Sequence, residues 1–254
     1  MRRKNIYPHK SLRYMPFRNI FLLQGLAVAV VTDLVLIWQM GTILDWHTRA
    51  LQRLLDLAEV PWVVGRQINV LPNISASLVR ASYMDYQQHP WYPVLFFLLI
   101  TALFAVGYKY WPPPVRPLAA LVPIGLGITL FYLKFISPTL PYDPEDFCAI
   151  WYRGETYLWL LLPWIFGLGL FTLNVPFALK LPWLLIVFGY SILWSVVRLA
   201  MALATFYYFG SIWMPIFYFL CGFLADFLYI VACYSLAMDR AATYLVKQKE
   251  VWQS

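Results

Sequence analysis

Residues Ile20–Trp38 read IFLLQGLAVAVVTDLVLIW, nineteen consecutive positions with a single ionisable side chain, Asp33. At a helical rise of about 1.5 Å per residue, a bilayer core is crossed by about 20 apolar residues, so this run is just long enough to span. It is too long and too interrupted for a signal-peptide core, and no A-x-A cleavage pattern follows it; it reads as a retained membrane helix. The remainder of the chain repeats the pattern. Of 254 residues, 62% are hydrophobic, 19% aromatic and 12% charged. Soluble domains carry roughly twice that share of charge, so this composition cannot clothe a water-facing surface of ordinary polarity. A soluble enzyme, a disordered chain and a collagen-like chain are excluded together, and the chain reads as an integral membrane protein.

Working outward, the runs at 92–110, 117–136, 156–173, 181–208 and 214–238 bring the expected total to about six transmembrane helices. Breaks fall where helices cannot continue: the triplet Pro112–Pro114, Ser137-Pro138, Asn174-Val175-Pro176, and Gly210 with Pro215. Residues 39–91 are mixed in polarity and form an outer segment. Within it, Asp45–Glu59 has helical apolar spacing and reads as a separate amphipathic helix, while Ile68–Val79 reads as a short strand pair. Residues 1–18 form a basic tail, and 138–155 (PTLPYDPEDFCAIWYRGE) an acidic outer loop. The expected fold is therefore all-α and polytopic, one membrane domain over 1–254.

Charge orients it. The formal net charge is +7, but Arg2, Arg3, Lys4, Lys10, Arg13 and Arg18 all precede the first apolar run. That placement is a topogenic flank, with anionic headgroups as its natural contact, and it argues against nucleic acid as a partner. With both termini cytoplasmic, inner segments hold twelve Lys/Arg and two acids, and outer segments six Lys/Arg and eight acids. The asymmetry follows the positive-inside rule, and Trp38, Trp91, Trp111, Trp159, Trp183 and Trp213 lie near the membrane boundaries so drawn.

Three charges stay within the apolar runs: Asp33, Arg198 and Asp226. Centring one charge in lipid costs roughly 2.5–3.5 kcal/mol on insertion scales, so such residues face the bundle interior and pair. Depth allows Arg198 to pair with Asp33 or with Asp226. Cys221 and Cys233 lie in apolar runs as small hydrophobes; Cys148 alone sits in a polar stretch. Neither H-E-x-x-H nor G-x-S-x-G occurs, and His47 and His89 are spaced like surface residues rather than ligands. No metal and no cofactor is expected.

The segment Leu181–Tyr234, LPWLLIVFGYSILWSVVRLAMALATFYYFGSIWMPIFYFLCGFLADFLYIVACY, resembles the end of the exosortase/archaeosortase family. These are multi-pass membrane cysteine transpeptidases that process proteins bearing a C-terminal sorting signal. The family pattern has a Cys at the outer start of one helix, an Arg within the next and a His near the start of the last. Arg198 matches the Arg, and Phe209-Gly210 and Gly222 also resemble the family; the likeness covers about 145–238. Tyr152-Arg153-Gly154 stands where the family has C-x-G, with Cys148 four residues earlier, and PIFYFLCG (215–222) stands where its His is expected. A thiol with no base beside it stays mostly protonated, and Arg cannot shuttle a proton. The resemblance implies a degenerate, non-catalytic member of a bacterial cytoplasmic membrane, working beside a catalytic exosortase or another membrane protein. Two alternatives stay open: an active transpeptidase using Cys148 and Arg198 with His47 or His89 as base, and a small transporter or subunit of a larger membrane complex.

Overall fold

The computed structural model describes residues 19–84, 91–137 and 140–247. The basic tail, residues 85–90 with His89, and residues 138–139 of the acidic stretch lie outside the described residues. The element order is α1 (Asn19–Leu57), β1 (Trp62–Leu71), β2 (Ile74–Ala81), α2 (Tyr92–Gly107), α3 (Val115–Phe135), α4 (Pro144–Gly169) and α5 (Phe177–Phe209), and the chain closes with a final helix. That helix, α6, follows a 3₁₀ turn (Ser211–Trp213) and runs unbroken through Met214–Ile216, π-helical Phe217–Leu224 and α-helical Ala225–Lys247. Four stretches are long and apolar enough to cross a membrane: Ile20–Leu57, Val115–Phe135, Phe177–Phe209 and Ser211–Leu245. Tyr92–Gly107 is apolar but shorter. The architecture is that of an all-α membrane protein carrying one β-hairpin.

Three local readings are corrected. The first crossing and the amphipathic helix after it are one helix of 39 residues. Nothing between Asn19 and Leu57 stops it: no proline intervenes, and Gly25 and Gly41 cost only about 1 kcal/mol each relative to Ala. It ends in a Schellman turn, with Glu59 at φ 54° and the Val60 amide donating to the Leu55 carbonyl at 3.0 Å. The strand pair exists but is longer than its sequence signal, with Leu71 facing Ile74 across Pro72-Asn73 and Asn73 at φ 64°. The acidic stretch turns helical at Pro144. Asp143 caps that helix: its Oδ1 accepts from the Asp146 amide at 2.8 Å, and its carbonyl from the Phe147 amide at 2.9 Å. Proline at the first helical position and acids in the first turn complete the start signal.

The described residues pack into two compact units, those of 19–40, 157–191 and 227–247 in one, and those of 41–156 and 192–226 in the other. In the first, α1 and α4 touch backbone to backbone. A Cβ built on Gly25 would stand 2.4 Å from the Gly167 carbonyl oxygen, so only glycine allows this approach. Trp159, Phe166, Phe171 and Val187 form its buried interior. Asp33 accepts a hydrogen bond from Trp164 Nε1 at 2.7 Å.

The second unit holds the hairpin, α2, α3 and the remaining pieces of the long helices. Its interior joins Leu44, Leu51 and Leu55 from α1, Leu78 and Val79 from β2, Phe147 from α4 and Phe206 from α5, all nearly inaccessible. Phe147 and Phe206 meet edge to face at 4.9 Å. The Arg66 amide donates to Glu145 Oε1 at 2.7 Å and its guanidinium pairs with Asp146, tying the hairpin to the start of α4. Gly210, at φ 90°, makes the turn between α5 and the final helix, a conformation that any side chain would strain.

Candidate functional site

Arg198 lies in the α5 portion of the second unit and is 1% exposed. Its Nη2 donates to Glu155 Oε1 at 2.7 Å and to Asp226 Oδ1 at 2.5 Å. Nη1 donates to the Gly222 carbonyl at 3.1 Å and to the Cys221 carbonyl. Four of the five guanidinium N–H groups are thereby used; Nε is buried without a hydrogen-bond partner among the described residues. The ring of Trp151 lies 5.3 Å from the guanidinium carbon, adding a cation–π contact.

Local sequence explains how the partners arrive. Trp151 and Glu155 are one turn apart on α4 and share a face. Ser195 and Arg198, three apart on α5, share another. Cys221 and Gly222 fall in the π-helical stretch, where the widened turn leaves carbonyls available to an outside donor. The result is a cation held by two carboxyl groups and two backbone dipoles, with side-chain exposures of 1%, 5% and 13% for Arg198, Glu155 and Asp226.

A second polar chain adjoins this one through Ser195. Its Oγ accepts from Trp151 Nε1 at 3.1 Å and lies 3.3 Å from His47 Nε2. His47 packs edge-on against Tyr152 at 4.9 Å, and the Tyr152 and Thr48 hydroxyls are 2.9 Å apart. Thr48 also donates to the Ser77 carbonyl at 3.3 Å, which brings the hairpin into the network. His47 is 1% exposed, so its reading as a surface histidine is corrected. The cause is the continuity of α1: Met40, Leu44, His47, Thr48, Leu51 and Leu55 form one buried stripe at three- and four-residue spacing.

Cys148 has no exposed surface and remains a free thiol. Burial pushes its pKa up, and the carboxylates of Glu145 and Asp143 push it further the same way. A raised thiol pKa keeps the sulfur protonated and lowers its nucleophilicity. Asp226, one of the two acids that depth allowed for Arg198, is beside it; Asp33 belongs to the other unit, where Trp164 holds it. Glu155, which the sequence places in the acidic outer loop, is instead 4% exposed beside Arg198. Among the described residues, no group of three or more His, Cys, Asp or Glu side chains could hold a metal ion.

Chemically, Arg198 can lock three helices together, but it cannot exchange a proton and has little left to offer a substrate anion. The residues missed by sequence reasoning are Glu155, Ser195 and Trp151; His47 and Tyr152 were named there, but not as members of this buried network. One signal was available: Ser191, Ser195 and Arg198 repeat at four and three along an otherwise apolar helix, which is how a polar interior stripe is written. No family model, curated protein or solved structure matches the chain.

Proposed function

We propose that the chain is a non-catalytic, exosortase-like protein of a bacterial cytoplasmic membrane. In this reading it assists the processing or export of surface proteins with a C-terminal sorting signal, beside a separate catalytic enzyme. It crosses about six times, both termini are cytoplasmic, and residues 39–91 are outside. Tyr92–Gly107, at roughly 24 Å, and the apolar half of α4 supply the two crossings beyond the four long helices. One observation carries the non-catalytic reading. The two residues that a transpeptidase would use are both occupied, Cys148 by burial and Arg198 by two carboxylates and two carbonyls.

The test is genetic. In the parent organism, deletion of the gene is expected to leave sorting-signal proteins unprocessed, and a Cys148→Ser copy is expected to restore processing. Normal processing in the deletion strain would remove the sorting role; failure of Cys148→Ser, with normal protein abundance, would make the chain the enzyme. The buried Arg198–Glu155–Asp226 cluster favours a second reading, a small transporter or subunit of a larger membrane complex, since ionisable groups inside a membrane bundle commonly mark ion or substrate paths. A deletion strain that processes surface proteins normally but loses uptake of a solute would select it.

A further inference from the structure

In the first unit, the turn after α4, the start of α5 and the end of α6 line a partly open cavity of about 440 Å³. Among the described residues its ionisable lining consists of Lys180, Arg240 and Tyr244 and includes no acid; Asp239, next to Arg240 in sequence, is exposed and outside the lining. Most of the remaining wall is apolar, including Val175, Leu179 and Ile186.

Lys180 is the unusual member. It is 1% exposed, and among the described residues no carboxylate pairs with it. Its ammonium donates to the Phe171 carbonyl at 3.0 Å and the Leu173 carbonyl at 2.6 Å, holding the turn that follows α4. The rings of Phe171 and Phe21 flank it at 5.7 and 5.9 Å. Carbonyls and rings orient an ammonium without cancelling its charge, and a buried cation calls for an anion. Arg240 is exposed at the same cavity and adds a second positive charge that outside groups can reach.

We infer that this cavity binds one anionic phospholipid, its phosphate drawn by Arg240 and Lys180 and an acyl chain lying along Val175, Leu179 and Ile186. A basic pocket between membrane helices on the cytoplasmic side suits such a headgroup, and an apolar wall at bilayer depth suits its tail. The cytoplasmic placement rests on the topology proposed above. The binding itself is measured on solubilised protein and does not depend on orientation, so the two fail separately.

The experiment is native mass spectrometry of the full chain in detergent, titrated with phosphatidylglycerol or with phosphatidylcholine of the same acyl chains. Phosphatidylglycerol is expected to bind tighter by on the order of tenfold, and Arg240→Glu to remove that preference, at about a few-fold per charge. Arg153→Glu, an exposed arginine in the other unit, is expected to leave it unchanged. Millimolar inorganic phosphate is expected not to displace the lipid. Equal binding of the two lipids, an unchanged preference in Arg240→Glu with native helicity, loss of preference in Arg153→Glu, or displacement by phosphate alone would each overturn the inference.

Discussion

Replacing Arg198 with leucine removes one cation and leaves two carboxyl groups, 5% and 13% exposed, without their shared partner. Glu155 loses a 2.7 Å charge-assisted bond and Asp226 a 2.5 Å one, while the Cys221 and Gly222 carbonyls lose their outside donor. Breaking a buried ion pair from one side costs about 3–5 kcal/mol, because the abandoned charge keeps its desolvation penalty. Two acids are abandoned here, though one proton shared between them relieves part of the repulsion, so about 4 kcal/mol is expected. Converted at about 2–4 °C per kcal/mol for a chain of this size, the unfolding midpoint in mild detergent falls by roughly 8–16 °C. The control is the triple variant Arg198→Leu, Glu155→Leu, Asp226→Leu, in which no charge is stranded. Buried ion clusters replaced by apolar groups are often neutral or stabilising, so the triple variant is expected to recover most of the loss. Thermal unfolding followed by intrinsic tryptophan fluorescence reads both. A single variant that loses less than about 1 kcal/mol, or a triple variant no better than the single, would refute the claim that Arg198 is held as a buried counter-ion.

Three further outcomes are expected. In a Cys221→Ala, Cys233→Ala background, Cys148 should react with iodoacetamide at pH 7.5 on the order of 100-fold slower in the native protein than after denaturation, because its thiol is buried and its pKa is raised; intact mass reads the rate, and equal rates would return Cys148 to the list of nucleophiles. Gly25→Val should destabilise by about 1–3 kcal/mol, since its Cβ would meet the Gly167 carbonyl at 2.4 Å, and unchanged thermal unfolding would show that α1 and α4 do not pack there. An engineered cysteine at Ser75 should label with impermeant maleimide in intact cells and one at Ser254 only after permeabilisation; labelling of both from the same side would overturn the proposed orientation.

Membrane character and the places where helices stop were written locally. Apolar runs, prolines and the Asp143-Pro144 start are properties of neighbouring residues, and the runs and prolines were readable at once. The hairpin was legible for a similar reason, through β-branched residues around Pro72-Asn73. The extent of α1 was not, because a shift from apolar to amphipathic composition at residue 39 marks a change of surroundings and leaves the backbone free to continue. The candidate site was legible only in outline. Depth in an apolar run made Asp33 and Asp226 alike candidate partners for Arg198, since a charge there must find an opposite charge, but could not choose between them. Glu155 escaped because its neighbours in sequence are polar, and only the packing of α4 against α5 takes it out of water. His47 escaped for the complementary reason: its burial comes from the rotation of α1 within the second unit, set by side chains many turns of chain away, Ser195 and Tyr152 among them. Composition decides how much of a chain must avoid water, whereas the identity of each charge's partner is a matter of distances of a few ångströms between residues far apart in sequence, and those exist only once the helices have packed.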